Sequence, residues 1–437
     1  MRKNIISLSA LAILLAVDVC SAIDVPQFQA GERWGVLGDS ITQSGSYHRY
    51  VELFYLTRFP ALSLDVINSG IAGDTAPRAL QRLKWDCLDA KPTVVSMMFG
   101  MNDANKDLES YEQAMRKLTG LLLDSGAKVI LIKPSIFDDT ADLPQANSPG
   151  TGAKLAKFAE RVQAIADDYQ VPTVDFNTPM TVVNRDQQKL DPHFTIVGPD
   201  RKHPMPPGHL VLAYEFLRAQ RAPAVVSRIT IDAATGKVGQ LENCNVTNLT
   251  VQTDSISFTC LEAALPFPVE ESATPALGYV PFTRNLNQET LLIRGLAAGN
   301  YELSIDGQVI RSFTAGELAE GVNLALEMNT PQSQQALAVL TSLRKKWDLA
   351  ATLRTIAYSE YSVSPDASEL ADIAQITAKL NARISSTKNP WIVWQHQQYF
   401  ELKPRESELR KELNAAVAKA RQLSIPKPHR IELRMKE

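Results

Sequence analysis

A chain of 437 residues is long for one domain, so two or three units are expected. With 45% hydrophobic and 21% charged residues, its composition is that of an ordinary globular protein. The formal net charge of -3 argues against a nucleic-acid binder, which carries a basic excess.

In chain order, Arg2-Lys3 precede an apolar run from Ile5 to Val17, and Cys20-Ser21-Ala22 ends on the small residue that signal peptidase prefers. Residues 1–22 therefore read as a cleaved secretory signal, and the mature protein is expected to be secreted or periplasmic and to start at Ile23. The run is too short for a membrane span. Val19, where lipidation would want a small residue before Cys20, argues against a lipid anchor.

From Arg33 to about Arg221, strand patterns alternate with helical ones. The strands are expected at Trp34–Leu37, Leu62–Ile67, Thr93–Phe99, Lys128–Lys133 and Pro172–Phe176. The helices are expected at Ser46–Arg58, Ala76–Asp89, Leu108–Leu123, Gly152–Asp168 and Pro207–Ala219. Such alternation predicts an α/β unit over residues 23–222, with a parallel sheet covered on both faces. The character shifts at Ala222-Pro223-Ala224. Residues 223–328 hold short β runs, including Val246–Val251, Ile256–Cys260, Thr290–Ile293 and Tyr301–Ile305, with a hairpin signal at Asp306-Gly307. A small antiparallel β domain is expected there, and Cys244 and Cys260, bracketing a hairpin, are a candidate disulfide in an exported protein. Cys87 sits in an amphipathic helix pattern as a buried thiol.

Residues 329–425 turn helical, starting near Pro331, with segments at Ser333–Tyr358, Ala367–Ile384, Trp391–Leu402 and Arg405–Ala420. Residues 426–437 alternate like a strand and are expected to pair back into the β domain, making the helical region an excursion from it.

The stretch that carries chemistry is Gly38-Asp39-Ser40, at the end of the first strand. A serine there lies at the carboxyl edge of an open α/β sheet, where ligands bind. The start of the next helix favours negative charge developing beside it. The plainer reading is that Ser40 only caps that helix. Three more stretches follow in order: Asn68-Ser69-Gly70-Ile71-Ala72-Gly73-Asp74-Thr75, Gly100-Met101-Asn102-Asp103, and Asp200-Arg201-Lys202-His203-Pro204. Together these four blocks resemble those of the SGNH (GDSL-type) hydrolase family, over roughly residues 32–220. The resemblance implies a three-layer α/β/α domain with a five-stranded parallel sheet and a serine esterase chemistry.

Ester hydrolysis needs a nucleophile, a base, a group that orients the base, and donors for the oxyanion. Ser40 supplies the hydroxyl and His203 the base. Asp200, three residues earlier, is placed to hold the His203 ring. The resemblance assigns the oxyanion hole to the backbone N–H groups of Ser40 and Gly73 and the side-chain amide of Asn102; the residues alone leave Gly70 as good a choice as Gly73. Asp103 is expected to cap the next helix. Arg201-Lys202 replace the smaller or apolar residues of many members and are expected to reshape that loop and make the rim basic. No Gly-x-Ser-x-Gly elbow surrounds Ser40, which argues against an α/β-hydrolase. This chemistry asks for no cofactor or metal, and no pair of cysteines has zinc-site spacing.

Of the other histidines, His209 reads as structural. His193 lies in a loop within reach of substrate, and His48 belongs on a helix surface more than at the pocket rim. His396 and His429 have no evident partner. The family acts on lipids, thioesters, small esters and acetyl groups on polysaccharides, so membership leaves the substrate open. Export, the extra β domain and the lack of a long apolar lid favour a small-molecule or polysaccharide ester, above all O-acetylated carbohydrate. Trp391, Trp394, Tyr399 and Phe400 would make either a sugar platform or a packed core, and their helical spacing favours core. A secreted lipase or thioesterase of the same fold is the alternative, and a carbohydrate-binding protein without activity is a third reading. The last is weakened by the presence of Ser40, Asp200 and His203. Asn245-Val246-Thr247 and Asn248-Leu249-Thr250 are glycosylation acceptors only in a pathway that glycosylates. Oligomeric state is not readable from the sequence.

Overall fold

The computed structural model describes residues 23–364 and 372–436. The expected leader, residues 1–22, lies outside them, as does the first part of the helix expected at Ala367–Ile384.

Residues that alternate along the first strands face two different cores. The strands β1 (Arg33–Gly38), β2 (Asp65–Gly70), β3 (Val94–Met98), β4 (Lys128–Lys133) and β5 (Thr173–Asp175) form one parallel sheet in the order β2-β1-β3-β4-β5. Val36, Val94, Ile130 and Ile132 point to one face, covered by α2 (Ser46–Arg58) and α7 (Pro206–Ala219). Leu37, Val95, Met97 and Leu131 point to the other, under α3 (Ala76–Asp86), α4 (Leu108–Asp124) and α5 (Thr151–Tyr169). Burial on both faces is why these strands read as continuous apolar runs. Strand β2 starts three residues later than its apolar pattern, because Leu62 and Leu64 join the core before the strand begins. Two helices of the α/β unit escaped the pattern: α1 (Ser40–Ser44), only one turn long, and α6 (Asn177–Gln188), a polar helix with few buried side chains.

The β region is a sandwich. One sheet runs β13-β10-β6-β7, from β6 (Val225–Asp232), β7 (Lys237–Glu242), β10 (Gln288–Arg294) and β13 (Val322–Asn323). The other runs β12-β11-β14-β9-β8, from β8 (Cys244–Val251), β9 (Ser255–Glu262), β11 (Asn300–Ile305), β12 (Gln308–Thr314) and β14 (Pro428–Met435). Two short helices, α8 (Phe282–Leu286) and α9 (Ala315–Glu320), flank β10 and β12. Within the first sheet the β6–β10 pair is parallel. Ile229, Ile231, Leu291 and Ile293 of one sheet meet Phe258, Leu303, Ile431 and Leu433 of the other. Strand β14 is central, paired antiparallel to both β9 and β11. Cys87, Cys244 and Cys260 are free thiols. The candidate Cys244–Cys260 bridge is not formed: Cys244 sits opposite Glu262 and Cys260 opposite Val246, so the thiols are diagonal neighbours, and Cys244 Sγ donates to the Arg228 carbonyl at 3.2 Å.

Four helices complete the chain: α10 (Pro331–Val363), α11 (Ile373–Ser386), α12 (Pro390–Leu402) and α13 (Glu406–Ser424). Thr330 caps α10 by accepting from the Ser333 N–H at 3.2 Å. The helices lie against the α/β unit through buried polar contacts. Lys346 Nζ is 3.0 Å from both Glu52 carboxylate oxygens, and Trp347 Nε1 donates to Glu52 Oε2 at 2.8 Å. Ala336, Val339, Leu340 and Leu343 belong to the same apolar core as Phe54 and Trp34. Among the described residues, no helix is long and apolar enough to cross a membrane.

Candidate active site

The site begins with a close approach at the end of β1. A Cβ on Gly38 would meet Thr42 Oγ1 at 2.3 Å and the Met98 carbonyl at 2.8 Å, so only glycine lets α1 fold back over the strand end. Asp39, not Ser40, caps α1: its Oδ1 accepts from the Ile41 N–H at 3.0 Å. Ser40 is left with a free hydroxyl, and its Oγ lies 2.7 Å from His203 Nε2. The far ring nitrogen, Nδ1, is hydrogen-bonded to Asp200 Oδ2. This contact puts the ring proton on Nδ1 and leaves Nε2 to accept from the Ser40 hydroxyl. Asp200 Oδ1 also accepts from the His203 N–H at 3.1 Å. Burial pushes the Asp200 carboxyl up, but the bonds from the His203 ring and backbone outweigh it and hold the group below its ordinary value.

Arg201 departs from the expectation of a basic rim. It adopts φ 68°, is 2% exposed, and turns inward to donate to the carbonyls of Asp138, Ala141, Leu143 and Gln145. Only Lys202 of the pair lines the cleft.

Gly73 and Asn102 line the same cleft as Ser40 and His203. Gly73 has φ 72°, a conformation glycine adopts without strain. Gly70 is elsewhere: a Cβ there would meet the Gln43 backbone nitrogen at 2.2 Å, so its glycine serves the packing of α1 on β2. Asn102 Nδ2 donates to the Asp74 carbonyl at 2.9 Å; the second amide hydrogen is not spent on that bond. Asp103 caps a helix, but not the expected one. Its Oδ1 accepts from the Ala76 N–H at 3.1 Å at the start of α3, while Asp107 caps α4. Three carboxyls crowd this floor. Burial, reinforced by Asp103 and Asp74, pushes Asp39 up to about 7 against the pull of the Ile41 N–H. Asp103 is pushed up to about 6, again chiefly by burial.

A layer of arginines ties this floor to the C-terminal helices. Arg82 Nε donates to Asp74 Oδ2 at 2.7 Å and its Nη1 to Asp86 Oδ2 at 2.5 Å. Arg354 of α10 donates to Asp86 and to the Gly70 carbonyl. Tyr361 Oη donates to the Arg78 carbonyl at 2.9 Å and lies 3.2 Å from Asp74 Oδ1. Sequence reasoning missed this layer, because an Arg82/Asp86 pair at i, i+4 is also what a solvent-exposed helix shows.

The cleft itself has a volume of about 760 Å³. Its second wall comes from α10 and α12 and includes Trp391 and Trp394. They are 41% and 52% exposed, which corrects the expectation of core packing for both, whereas Tyr399 on the same helix is buried. The same helical spacing serves a core or a cleft wall, and only tertiary placement separates them. The remaining histidines fall outside the relay. His48 is buried, not on a helix surface, with Nε2 at 3.2 Å from the Thr42 carbonyl, and burial holds its pKa well below the ordinary value. His209 is buried and stacked on Tyr47. His193 contacts the Asp142 carbonyl, away from the cleft lining. His396 and His429 do have partners: Ser359 for the first and Asp306 for the second. Among the described residues, no group of three or more His, Cys, Asp or Glu is placed to hold a metal ion.

A hydroxyl in contact with an imidazole whose other nitrogen is held by a carboxylate is the arrangement that makes serine nucleophilic. Comparison with known proteins agrees with that chemistry. Residues 36–211 match the model of the GDSL-like lipase/acylhydrolase family. The chain is 26% identical over 216 residues to an acetylxylan esterase of Geobacillus stearothermophilus, covering 43% of this chain and 94% of that one. It is 31% identical over 113 residues to an arylesterase of Vibrio mimicus, of which it covers 56%. Its structure resembles that of a gut microbial diltiazem-metabolizing enzyme along nearly its whole length, with a TM-score of 0.88, 30% identity, and coverage of 95% of this chain and 100% of that one. A serine just after β1 of a five-stranded parallel sheet, its hydroxyl on a histidine from the loop before α7, and this breadth of likeness lead to one conclusion: the chain belongs to the GDSL-like lipase/acylhydrolase (SGNH) family and is a carboxylic ester hydrolase.

Proposed function

We propose that this chain is an exported serine esterase that removes acetyl groups from O-acetylated carbohydrate. The observation that carries the reading is the Ser40 Oγ–His203 Nε2 contact of 2.7 Å, with Asp200 on the far side of the ring. Ser40 attacks the ester carbonyl while His203 Nε2 takes its proton. The negative oxygen of the tetrahedral intermediate is met by the N–H groups of Ser40 and Gly73 and the amide of Asn102. His203 then returns the proton to the departing alcohol, leaving an acyl group on Ser40. Water, deprotonated by the same ring, attacks the acyl-enzyme, and the proton passes back to Ser40 as the acid leaves. Asp200 fixes the tautomer and orientation of His203 throughout.

The likeness to an acetylxylan esterase supports the acetylated-carbohydrate reading. Export is supported by the basic, apolar and small-residue succession of residues 1–22. Acetate release from a panel of acetylated polysaccharides, by the chain from Ile23 onward with Ser40→Ala alongside, tests the function. Release abolished in the variant is expected. Ser40-dependent cleavage of long-chain esters without acetate release would replace it with the lipase reading. N-terminal sequencing of protein recovered outside the cytoplasm tests export, with Ile23 as the expected first residue.

A further inference from the structure

The wall that faces Ser40 lies outside the four family blocks, on α10 and α12. Trp391 and Trp394 stand one turn apart on α12 and keep much of their surface in water although both line the cleft. Two large apolar rings left uncovered forgo the burial that favours indoles, unless a ligand supplies it. Trp391 is nevertheless held in place, edge to face with Tyr358 at 5.1 Å, and Tyr358 is stacked on the buried ring of His396. Gln395, on the same helix and also lining the cleft, is 6% exposed, and its Oε1 has no hydrogen-bond partner among the described residues. A buried amide oxygen without a donor is costly, and a rotation of the amide toward the cleft would offer it a ligand hydroxyl.

The chemistry of the wall selects its ligand. Among the described residues, Ala351 and Leu402 are its only aliphatic members, too little surface for a long acyl chain. Flat apolar rings set among amides and hydroxyls match a sugar, which offers a C–H face and hydroxyls at its rim. An acetyl group is small beside a cleft of about 760 Å³, so most of that space is available to the alcohol that leaves. We infer that Trp391, Trp394 and Gln395 form the subsite for the alcohol side of the ester, holding a sugar ring next to the acetylated one. The inference rests on the ester-hydrolase reading of Ser40 given above. Substrate choice would then be made by the C-terminal helices, and bond cleavage by the α/β unit.

The test compares acetylated xylo-oligosaccharides with p-nitrophenyl acetate as substrates of Trp391→Ala, Trp394→Ala and the corresponding phenylalanine variants. For the alanine variants, KM on the oligosaccharide is expected to rise about tenfold more than KM on the small ester, as loss of one stacking face would give. The phenylalanine variants should recover part of the difference, which a folding defect would not allow. Binding of unacetylated xylo-oligosaccharide to Ser40→Ala, read by isothermal titration calorimetry, should disappear when Trp391 and Trp394 are also replaced by alanine. Equal changes on both substrates, or a selective loss on long-chain p-nitrophenyl esters, would overturn the sugar subsite while leaving a Ser40-dependent esterase standing. Full activity in Ser40→Ala would instead remove the ester-hydrolase reading, and the subsite with it.

Discussion

Arg354 and Asp86 form a two-pronged ion pair between the C-terminal helices and the α/β unit, with Nη1–Oδ1 at 2.5 Å and Nη2–Oδ2 at 3.0 Å. Arg354 also reaches the Gly70 carbonyl through Nε at 3.2 Å and Nη2 at 2.9 Å. One side chain of α10 thus grips both ends of the segment that carries Gly73. Burial pushes the Asp86 carboxyl up, but Arg354 and Arg82 together hold it below its ordinary value.

Arg354→Gln keeps a donor but removes the charge. Breaking such a buried pair costs about 3 kcal/mol, here moderated because Arg82 still holds Asp86. The loosened Gly73 segment is expected to lower kcat more than it raises KM on p-nitrophenyl acetate. Urea unfolding and steady-state kinetics check the two halves separately, and a stability loss with unchanged kcat would make Arg354 structural only.

The proposed oxyanion donors and relay predict a graded series. Asn102→Ala should lower kcat roughly a hundred- to thousandfold, the usual effect of losing one donor. Ser40→Ala and His203→Ala should cost far more. Turnover numbers on a single small ester decide it, and wild-type turnover in Asn102→Ala would remove that residue from the oxyanion hole.

Asp39 predicts a pH dependence of stability. Its carboxyl moves from an ordinary value of 3.8 to about 7 on folding, mainly through burial. The folded state therefore keeps a proton that the unfolded chain gives up, so this group's contribution is favourable at low pH and is lost as pH rises through about 7. Asp39→Asn, which retains an oxygen for the Ile41 N–H, should gain about 3 kcal/mol relative to wild type between about pH 5 and about pH 8. Urea unfolding at both pH values measures it; parallel profiles for the two proteins would refute the claim.

Arg201 predicts coupling between a buried scaffold and the relay. It donates to four carbonyls of the 138–145 segment from the residue directly after Asp200. Arg201→Ala leaves those carbonyls without their donor and should cost about 3 kcal/mol or more. Turnover should fall with it as Asp200 and His203 lose their fixed spacing, and Arg201→Lys should restore part of the stability and less of the rate. The outcome that sinks the idea is a destabilised Arg201→Ala with full kcat at low temperature.

The parts of the fold legible in the sequence are those where a local pattern and a tertiary demand coincide. Lys128–Lys133 and Ser46–Arg58 carry their apolar pattern over the same residues that fold as β4 and α2. The offset in β2 arose because Leu62 and Leu64 are apolar for the sake of the core, not the strand. Asp103 had the right chemistry for a cap but no sequence sign that its partner, Ala76, lay 27 residues earlier. The tryptophans of α12 were misjudged for the same reason. A stripe at i, i+3 states that one helix face is apolar and is silent on whether that face meets protein or a ligand. Contacts across 268 residues, such as Arg354 with Asp86, leave no local trace at all.

Strand β14 follows every helix of the C-terminal region in the sequence, yet sits in the middle of its sheet. The β8–β9 and β11–β12 hairpins cannot join until residues 428–435 slot between them. The helices α10 to α13 therefore form a belt buckled at both ends to the sandwich. During synthesis the segments bearing Ser40 and His203 emerge long before that buckle closes, and long-range closure of this kind is slow. Clipping the chain before residue 428 would unfasten the belt, strip Ile431 and Leu433 from the sandwich core and weaken the hold of α10 on the segment that carries Gly73. The relay would keep its residues and lose the frame that aligns them.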